Sequence, residues 1–330
     1  YLGRLSKHAR KNVLASWAFE HGFRGAVLDE TLLVFLAREY EARIHAFLSC
    51  ALPWSAVNPY NPTLRGADLP PEMFFGRDEA MARVLNASST VFVYGGRQLG
   101  KSALLARVRQ SAERPKMNSH AFLLDIKTIG SPSGVEKDPD LLWSLLSRSA
   151  FQERFASRFG RVNHPHDVAE RIERLFSRNP ELKVVLILDE ADNFLQADAR
   201  KGFYNVSRLN ALVTSTGNRL RLVFAGLNSV RKFRLIPNQP LGGVEVIVGP
   251  LEPKAARQLV IEPMRTLGYE LDPRAVLQLL AITNYHPGLL QLFCYHLVED
   301  LRRSRRTPPA RVTAEDIETL FRRPSLQEEV

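Results

Sequence analysis

Hydrophobic and polar positions along the chain follow different periods in different stretches. Over Val13–Phe19 and Glu30–Leu48 apolar residues recur at helical spacing with Arg and Glu between them, which predicts an N-terminal helical segment. Pro53–Pro71, with Asn58-Pro59-Tyr60-Asn61-Pro62 inside it, breaks that pattern. Each proline removes a backbone donor and restricts the residue before it, so no regular element is expected there. From Arg77 onward short apolar runs alternate with helical stretches. Strands are predicted at Thr90–Tyr94, Ala121–Ile126, Val184–Leu188, Leu220–Ala225 and Val244–Val248. Helices are predicted at Lys101–Gln110, Asp138–Phe155, His166–Ser177 and Gly202–Thr214. This alternation points to an α/β fold, a parallel sheet covered by helices on both faces.

After Pro250 the strand signal stops, and residues 253–325 read as helical throughout: Pro253–Leu267, Pro273–Thr283, Gly288–Arg302 and Ala314–Arg322. Thr313, followed by Ala314-Glu315-Asp316, is the expected N-cap of the last helix. The expected domains are a helical segment at residues 1–55, an α/β core at 56–251 and a smaller helical domain at 252–330. There is no internal repeat and no low-complexity tract.

Composition narrows the class. With 330 residues, 45% of them hydrophobic, the chain can bury two or three cores and is no disordered polymer. The longest apolar runs, such as Leu32–Ala37 and Val184–Leu188, fall far short of the roughly 18 residues that span a bilayer, so no membrane partner is expected. No leader peptide is apparent, and the sequence begins with Tyr1. It reads as part of a longer polypeptide, whose flanking domains are then expected partners. Two cysteines, Cys50 and Cys294, make neither a disulfide framework nor a zinc site, which fits a reducing cytoplasm. The net charge is +10, and 35 of the 45 basic residues are Arg. Such a balance raises DNA as a partner, because phosphate contacts dominate nucleic-acid binding. The densest basic cluster is Arg302-Arg303-Ser304-Arg305-Arg306, at the end of an amphipathic helix. The alternative is an Arg-rich composition spread over solvated faces, and no basic run has interleaved aromatics.

Gly95-Gly96-Arg97-Gln98-Leu99-Gly100-Lys101-Ser102 fits G-x-x-x-x-G-K-[ST] at every position. The glycines let a loop wrap so that backbone N–H groups point at a β-phosphate. Lys101 adds a cation on the β- and γ-phosphates, Ser102 a hydroxyl for Mg²⁺, and the helix continuing through Ala103 the positive end of its dipole. The strand run Thr90–Tyr94 ahead of the loop is the context this motif requires. A second motif, Val184-Val185-Leu186-Ile187-Leu188-Asp189-Glu190, ends an apolar strand in two acids. Ligands sit at the carboxyl ends of strands in open α/β sheets. There Asp189 would hold Mg²⁺ and Glu190 would act as general base on water. Asp192 falls on the same surface. The expected cofactors are ATP and Mg²⁺.

With both motifs placed, the chain resembles an AAA+-related P-loop ATPase of the STAND (signal-transduction ATPase) branch, related to replication-initiator ATPases. Further segments carry the likeness. Asn58-Pro59-Tyr60 and Phe74-Phe75-Gly76-Arg77-Asp78-Glu79 are similar to the segment that touches adenine in these ATPases, implying contacts from Phe75, Gly76 and Arg77. Phe224-Ala225-Gly226-Leu227-Asn228 resembles their fourth strand and polar sensor, implying a catalytic role for Asn228. Gly249-Pro250-Leu251-Glu252-Pro253 looks like their approach to a helical lid. Thr283-Asn284-Tyr285-His286-Pro287-Gly288 is similar to the lid motif, implying nucleotide contacts from His286 and Pro287. The likeness covers about residues 58–325. It implies an AAA+-like P-loop NTPase core with a C-terminal helical lid domain behind an N-terminal helical segment.

Departures are informative. AAA+ motors carry a lid arginine that reaches the γ-phosphate, and Gly288–Cys294 holds none. That suits a slow switch better than a ring motor. Arg208, Arg219 and Arg221 are candidates for a trans-acting arginine in a nucleotide-dependent homo-oligomer. His164, His166 and His286 show no metal-ligand spacing. Cys294 in Leu292-Phe293-Cys294-Tyr295 reads as a buried small hydrophobe, and Trp17, Trp54 and Trp143 as packing residues. Three functions compete: an ATP-driven conformational switch in bacterial signalling or antiviral defence, a DNA-engaged ATPase of the initiator or transposition type, and a nucleotide-stabilised scaffold without turnover.

Overall fold

The computed structural model of the chain describes residues 29–38, 58–60, 69, 73–131, 137–148, 164–227, 239–304, 306, 309–324 and 326. It divides into two compact units, one of Arg77–Gly249 and one that joins the described residues before Arg77 to Pro250 and beyond.

The Arg77–Gly249 unit is built on a parallel sheet of β1 (Val91–Gly95), β2 (Ser119–Asp125), β3 (Lys183–Asp189), β4 (Leu220–Gly226) and β5 (Val244–Val248), ordered β2-β3-β4-β1-β5. All five expected strands form within two residues of their predicted bounds. Val184–Leu188 of β3 are 0–3% exposed, which is why that strand is apolar without alternation. Helix α1 (Glu30–Arg38) belongs to the other unit; this one contains α2 (Asp78–Asn86), α3 (Lys101–Ala112), α4 (Leu141–Arg148), α5 (Pro165–Arg178), α6 (Asp192–Arg200) and α7 (Tyr204–Ser215). The stretches 39–48 and 149–155 of two predicted helices, and all of Val13–Phe19, lie outside the described residues.

Two helices were not anticipated. α2 is only nine residues long, and α6 begins two residues after Glu190, where its acidic start reads as more of the acidic motif. Phe194 and Leu195 of α6 are nonetheless fully buried, and Phe194 stacks on Phe224 of β4, which stacks on Phe92 of β1. Helix α7 starts at Tyr204, not at Gly202. Gly202 (φ +68°) and Phe203 (φ +59°) are left-handed and turn the chain out of α6. The buried Asp198 carboxylate fastens that corner by accepting the N–H groups of Asn205 and Val206 and the side-chain amide of Asn205. Trp143 is fully buried as expected, with its indole N–H on Asn205 Oδ1 at 2.6 Å.

The other unit corrects the expectation that residues 253–325 are helical throughout. Its elements are α8 (Pro253–Thr266), β6 (Tyr269–Leu271), α9 (Pro273–Thr283), α10 (Pro287–Arg303), β7 (Ala310–Val312) and α11 (Ala314–Phe321). β6 and β7 pair in parallel, Tyr269 beside Ala310 and Leu271 beside Val312. Three-residue strands are too short to show a period of two, and only Gly268 (φ +83°) and Pro273 punctuate the first of them. Thr313 caps α11 as predicted, its N–H donating to Asp316 Oδ2 at 2.8 Å.

Asn58 and Tyr60, expected to open the α/β core, are instead built into this helical unit. Tyr60 is fully buried and donates to the carbonyl of Val260 at 2.7 Å; Asn58 donates to the carbonyl of Tyr295 and to Glu299. Burial drives both the Tyr60 phenol and the neighbouring Cys294 thiol well above their ordinary values, so Cys294 is an inert core residue. Among the described residues no helix is long and apolar enough to cross a membrane.

Candidate nucleotide site

β1 delivers the chain to the carboxyl edge of the sheet at Gly95, and α3 leaves it from Lys101. A Cβ on Gly95 would meet the Val248 carbonyl at 3.0 Å, a tight contact that glycine avoids where β1 ends beside β5. Between them, Gln98 (φ +57°) and Gly100 (φ +89°) take left-handed angles, and Leu104 N–H bonds to the Gly100 carbonyl to start the helix. Arg97 and Gln98 are exposed, Gly96 and Leu99 half-buried, and Ala103 buried.

β3 brings the second half of the site. Lys101 is 6% exposed, and its Nζ lies 3.2 Å from Asp189 Oδ1 and 3.1 Å from Glu190 Oε1. Ser102 Oγ donates to Asp189 Oδ2 at 3.4 Å. Glu190 is left-handed (φ +56°), an uncommon angle for a residue with a Cβ, and its N–H donates to Asp189 Oδ1. That turn sends consecutive carboxylates to one cation. Lys101, Asp189 and Glu190 together carry a formal charge of −1. A divalent cation would make the cluster +1, matched to a polyphosphate.

The donor set fits Mg²⁺. Ser102 and Asp189 offer converging hard oxygens, and Mg²⁺ keeps several waters and takes only one or two protein ligands beside phosphate oxygens. Bound there, it would neutralise phosphate charge.

Asp192 also works here. Its Oδ2 accepts the N–H of Leu227 at 2.8 Å, while Ala191 N–H bonds the Ala225 carbonyl, so the chain leaving β3 is stitched to the end of β4. Asn228, the sensor candidate, lies outside the described residues.

Phe75 packs against the core of the helical unit, and Gly76 (φ +64°) runs so close to α8 that a Cβ would sit 2.2 Å from that of Ala255. The Arg77 side chain instead donates through Nη2 to the carbonyls of Leu99, at 3.0 Å, and Gly249. The sequence carried no sign of that bridge. In the helical unit, His286 caps α10, its Nδ1 accepting the N–H of Leu289 at 3.3 Å, and Pro287 is buried in the first turn. The cap occupies one of the backbone donors at the start of α10.

The three candidate arginines separate. Arg219 donates to the carbonyls of Phe176, Asn179, Pro180 and Thr216 and covers the Phe176 ring, which makes it a structural clamp. Arg221 is held on the Leu85 carbonyl. Arg208 bonds the Tyr204 hydroxyl.

Comparison with known proteins gives one family. The family model described as Novel STAND NTPase 1 matches residues 68–319. No curated protein matches the chain. Among solved structures, the Walker-type ATPase of Pyrococcus abyssi is 18% identical, with a TM-score of 0.50 and 69% of each chain covered. The Aeropyrum pernix ORC2 protein, solved as ADPNP–ADP complexes, is 14% identical, with a TM-score of 0.50 over 80% of this chain and 70% of that one. Drosophila ORC bound to DNA gives 13% identity and a TM-score of 0.53 over 76% of this chain and 66% of that one. At these identities the likeness is one of fold: a P-loop NTPase core of AAA+ type.

Proposed function

The chain belongs to the Novel STAND NTPase 1 family, and on that premise we propose that it is a Mg²⁺-dependent ATPase whose bound nucleotide sets the conformation of a larger signalling or defence protein. The observation that carries this reading is Lys101 held between Asp189 and Glu190 with Ser102 on the same carboxylate. In the proposed reaction Lys101 and the loop N–H groups bind the phosphates. Ser102 and Asp189 hold the metal. Glu190, released from Lys101 as phosphate takes the cation, accepts a proton from the attacking water. In this reading the helical unit serves as a lid, for which His286 and Pro287 are the candidate nucleotide contacts, and flanking domains respond to its closure.

Calorimetry with Mg·ADP and Mg·ATP, followed by phosphate release, tests this. Binding with turnover that both vanish in Lys101→Ala is the expected result. Binding without turnover above that variant would favour a nucleotide-stabilised scaffold. Absence of binding would sink the reading.

A DNA-engaged ATPase is the second reading, since one neighbour of this fold was solved on DNA and the net charge is +10. Two arginines of its basic cluster are paired within the chain, Arg302 with Glu299 and Arg306 with Asp316, and nearby Arg311 and Arg323 pair with Asp272 and Asp300. Cations already neutralised displace few counterions. DNA affinity that falls steeply with log salt would restore the second reading.

A further inference from the structure

We propose that Arg77 is the positioning residue of the phosphate loop and couples its shape to the exit of β5. The proposal rests on the nucleotide-binding reading of the loop. Arg77 Nη2 donates to the Leu99 carbonyl, 3.0 Å away inside the loop, and to the Gly249 carbonyl directly after β5. One planar guanidinium nitrogen has two hydrogens, so it can serve both oxygens at a fixed separation.

The Leu99 carbonyl shares a peptide with the Gly100 N–H. In a trans peptide these two groups point in opposite directions. Drawing the carbonyl to Arg77 therefore turns the Gly100 N–H to the other side, away from the guanidinium. A flipped peptide would present an oxygen lone pair, not a donor, to a phosphate. Nothing in Gly100 itself forbids the flip. Glycine adopts either sign of φ readily, and no atom lies within 4 Å of where its Cβ would be. The downstream side of Gly100 is already fixed, because its carbonyl caps Leu104 N–H in α3. The upstream peptide needs an outside restraint, and Arg77 supplies it.

The second acceptor gives the bridge its other consequence. Gly249 is the last residue of the α/β unit, and Pro250 begins the helical one. A loop that tightens on phosphate pulls on the same guanidinium that holds Gly249. Occupancy is thereby signalled to the connection between the units through one side chain.

Hydrogen exchange in wild type, Arg77→Ala and Arg77→Lys, with and without Mg·ADP, tests this. In wild type, Mg·ADP is expected to slow exchange in residues 95–102 and in 247–252. In Arg77→Ala the first segment should still respond, the second should not, and affinity should fall about tenfold, the size of one lost charged hydrogen bond. Millimolar guanidinium should restore part of that affinity in Arg77→Ala and none in wild type, which a merely structural role would not produce. Arg77→Lys should fall between, and serves alone if the alanine variant fails to fold. Without nucleotide, both segments should exchange faster in Arg77→Ala while β2 is unchanged. If wild type binds no Mg·ADP, the nucleotide reading fails, and the unliganded comparison still decides the bridge. Coupled protection that persists in Arg77→Ala, or unchanged unliganded exchange, would overturn the proposal.

Discussion

The Nζ of Lys101 lies 3.1 Å from Oε1 of Glu190, although the strands that carry these residues to the site are not neighbours in the sheet. β4 lies between them, a separation of about 10 Å at two strand spacings. The ion pair is thus a closure across the sheet edge, made by the loop after β1 and the left-handed turn after β3.

Lys101→Ala removes the cation that two carboxylates share and that, in the proposed reaction, binds the phosphates. Mg·ATP affinity is expected to fall by about 10²-fold or more, two charged hydrogen bonds lost. Calorimetry measures it, and the far-UV spectrum should stay that of the folded chain. Micromolar affinity retained in the variant would contradict the assignment.

Asp189 and Glu190 should separate by role. Glu190→Gln is expected to keep Mg·ATP bound while slowing phosphate release by about 10²-fold, the magnitude of a lost general base. Asp189→Asn should weaken binding in Mg²⁺ far more than binding in EDTA. Loss of affinity in both variants would mean the division is wrong.

The helical unit should respond to nucleotide. Exchange across residues 273–302 is expected to slow on adding Mg·ADP. His286→Ala exposes one helix donor, a capping loss of about 1 kcal/mol. It should therefore raise basal exchange in the first turn of α10. A role in closure predicts more: the nucleotide-dependent slowing must also shrink. Equal exchange with and without nucleotide would make the unit a passive spacer.

Asp198 gives a pH signature. Burial raises its carboxyl above the ordinary range, more than the N–H donors of Val206 and Asn205 lower it. The native state therefore holds this proton more tightly than the unfolded chain does. The group's stabilising contribution is complete below the unfolded value, about 3.9, and is lost as pH rises through the folded value. Melting temperature, wild type minus Asp198→Asn, should thus grow more positive as pH falls from neutral into the acid range. A gap that narrows on acidification would contradict the sign.

The two motifs that meet at the candidate site were legible in the chain because each is local. Gly95–Ser102 and Val184–Glu190 each carry their residue types at fixed spacing, and a fully buried parallel strand must be continuously apolar. β1, β3 and β4 followed for the same reason, while β2 and β5, only partly buried, followed from short apolar runs. β6 and β7 did not, since three residues cannot display a period, and α6 was hidden behind the acids that begin it. Tyr60 was assigned to the wrong unit, because its partner, the Val260 carbonyl, lies 200 positions away and is backbone, which leaves no trace in sequence. The same holds for Arg77 and its two carbonyls. The sequence by itself determined which residues are candidates for phosphate, metal and water, since side-chain chemistry and local spacing are properties of a single stretch. Only the tertiary structure decided that β4 enters between β1 and β3, that Asp192 holds the end of β4 at the site, and that Arg77 reaches the loop. Strand order and backbone acceptors are settled when distant segments pack, and no periodicity along the chain records them.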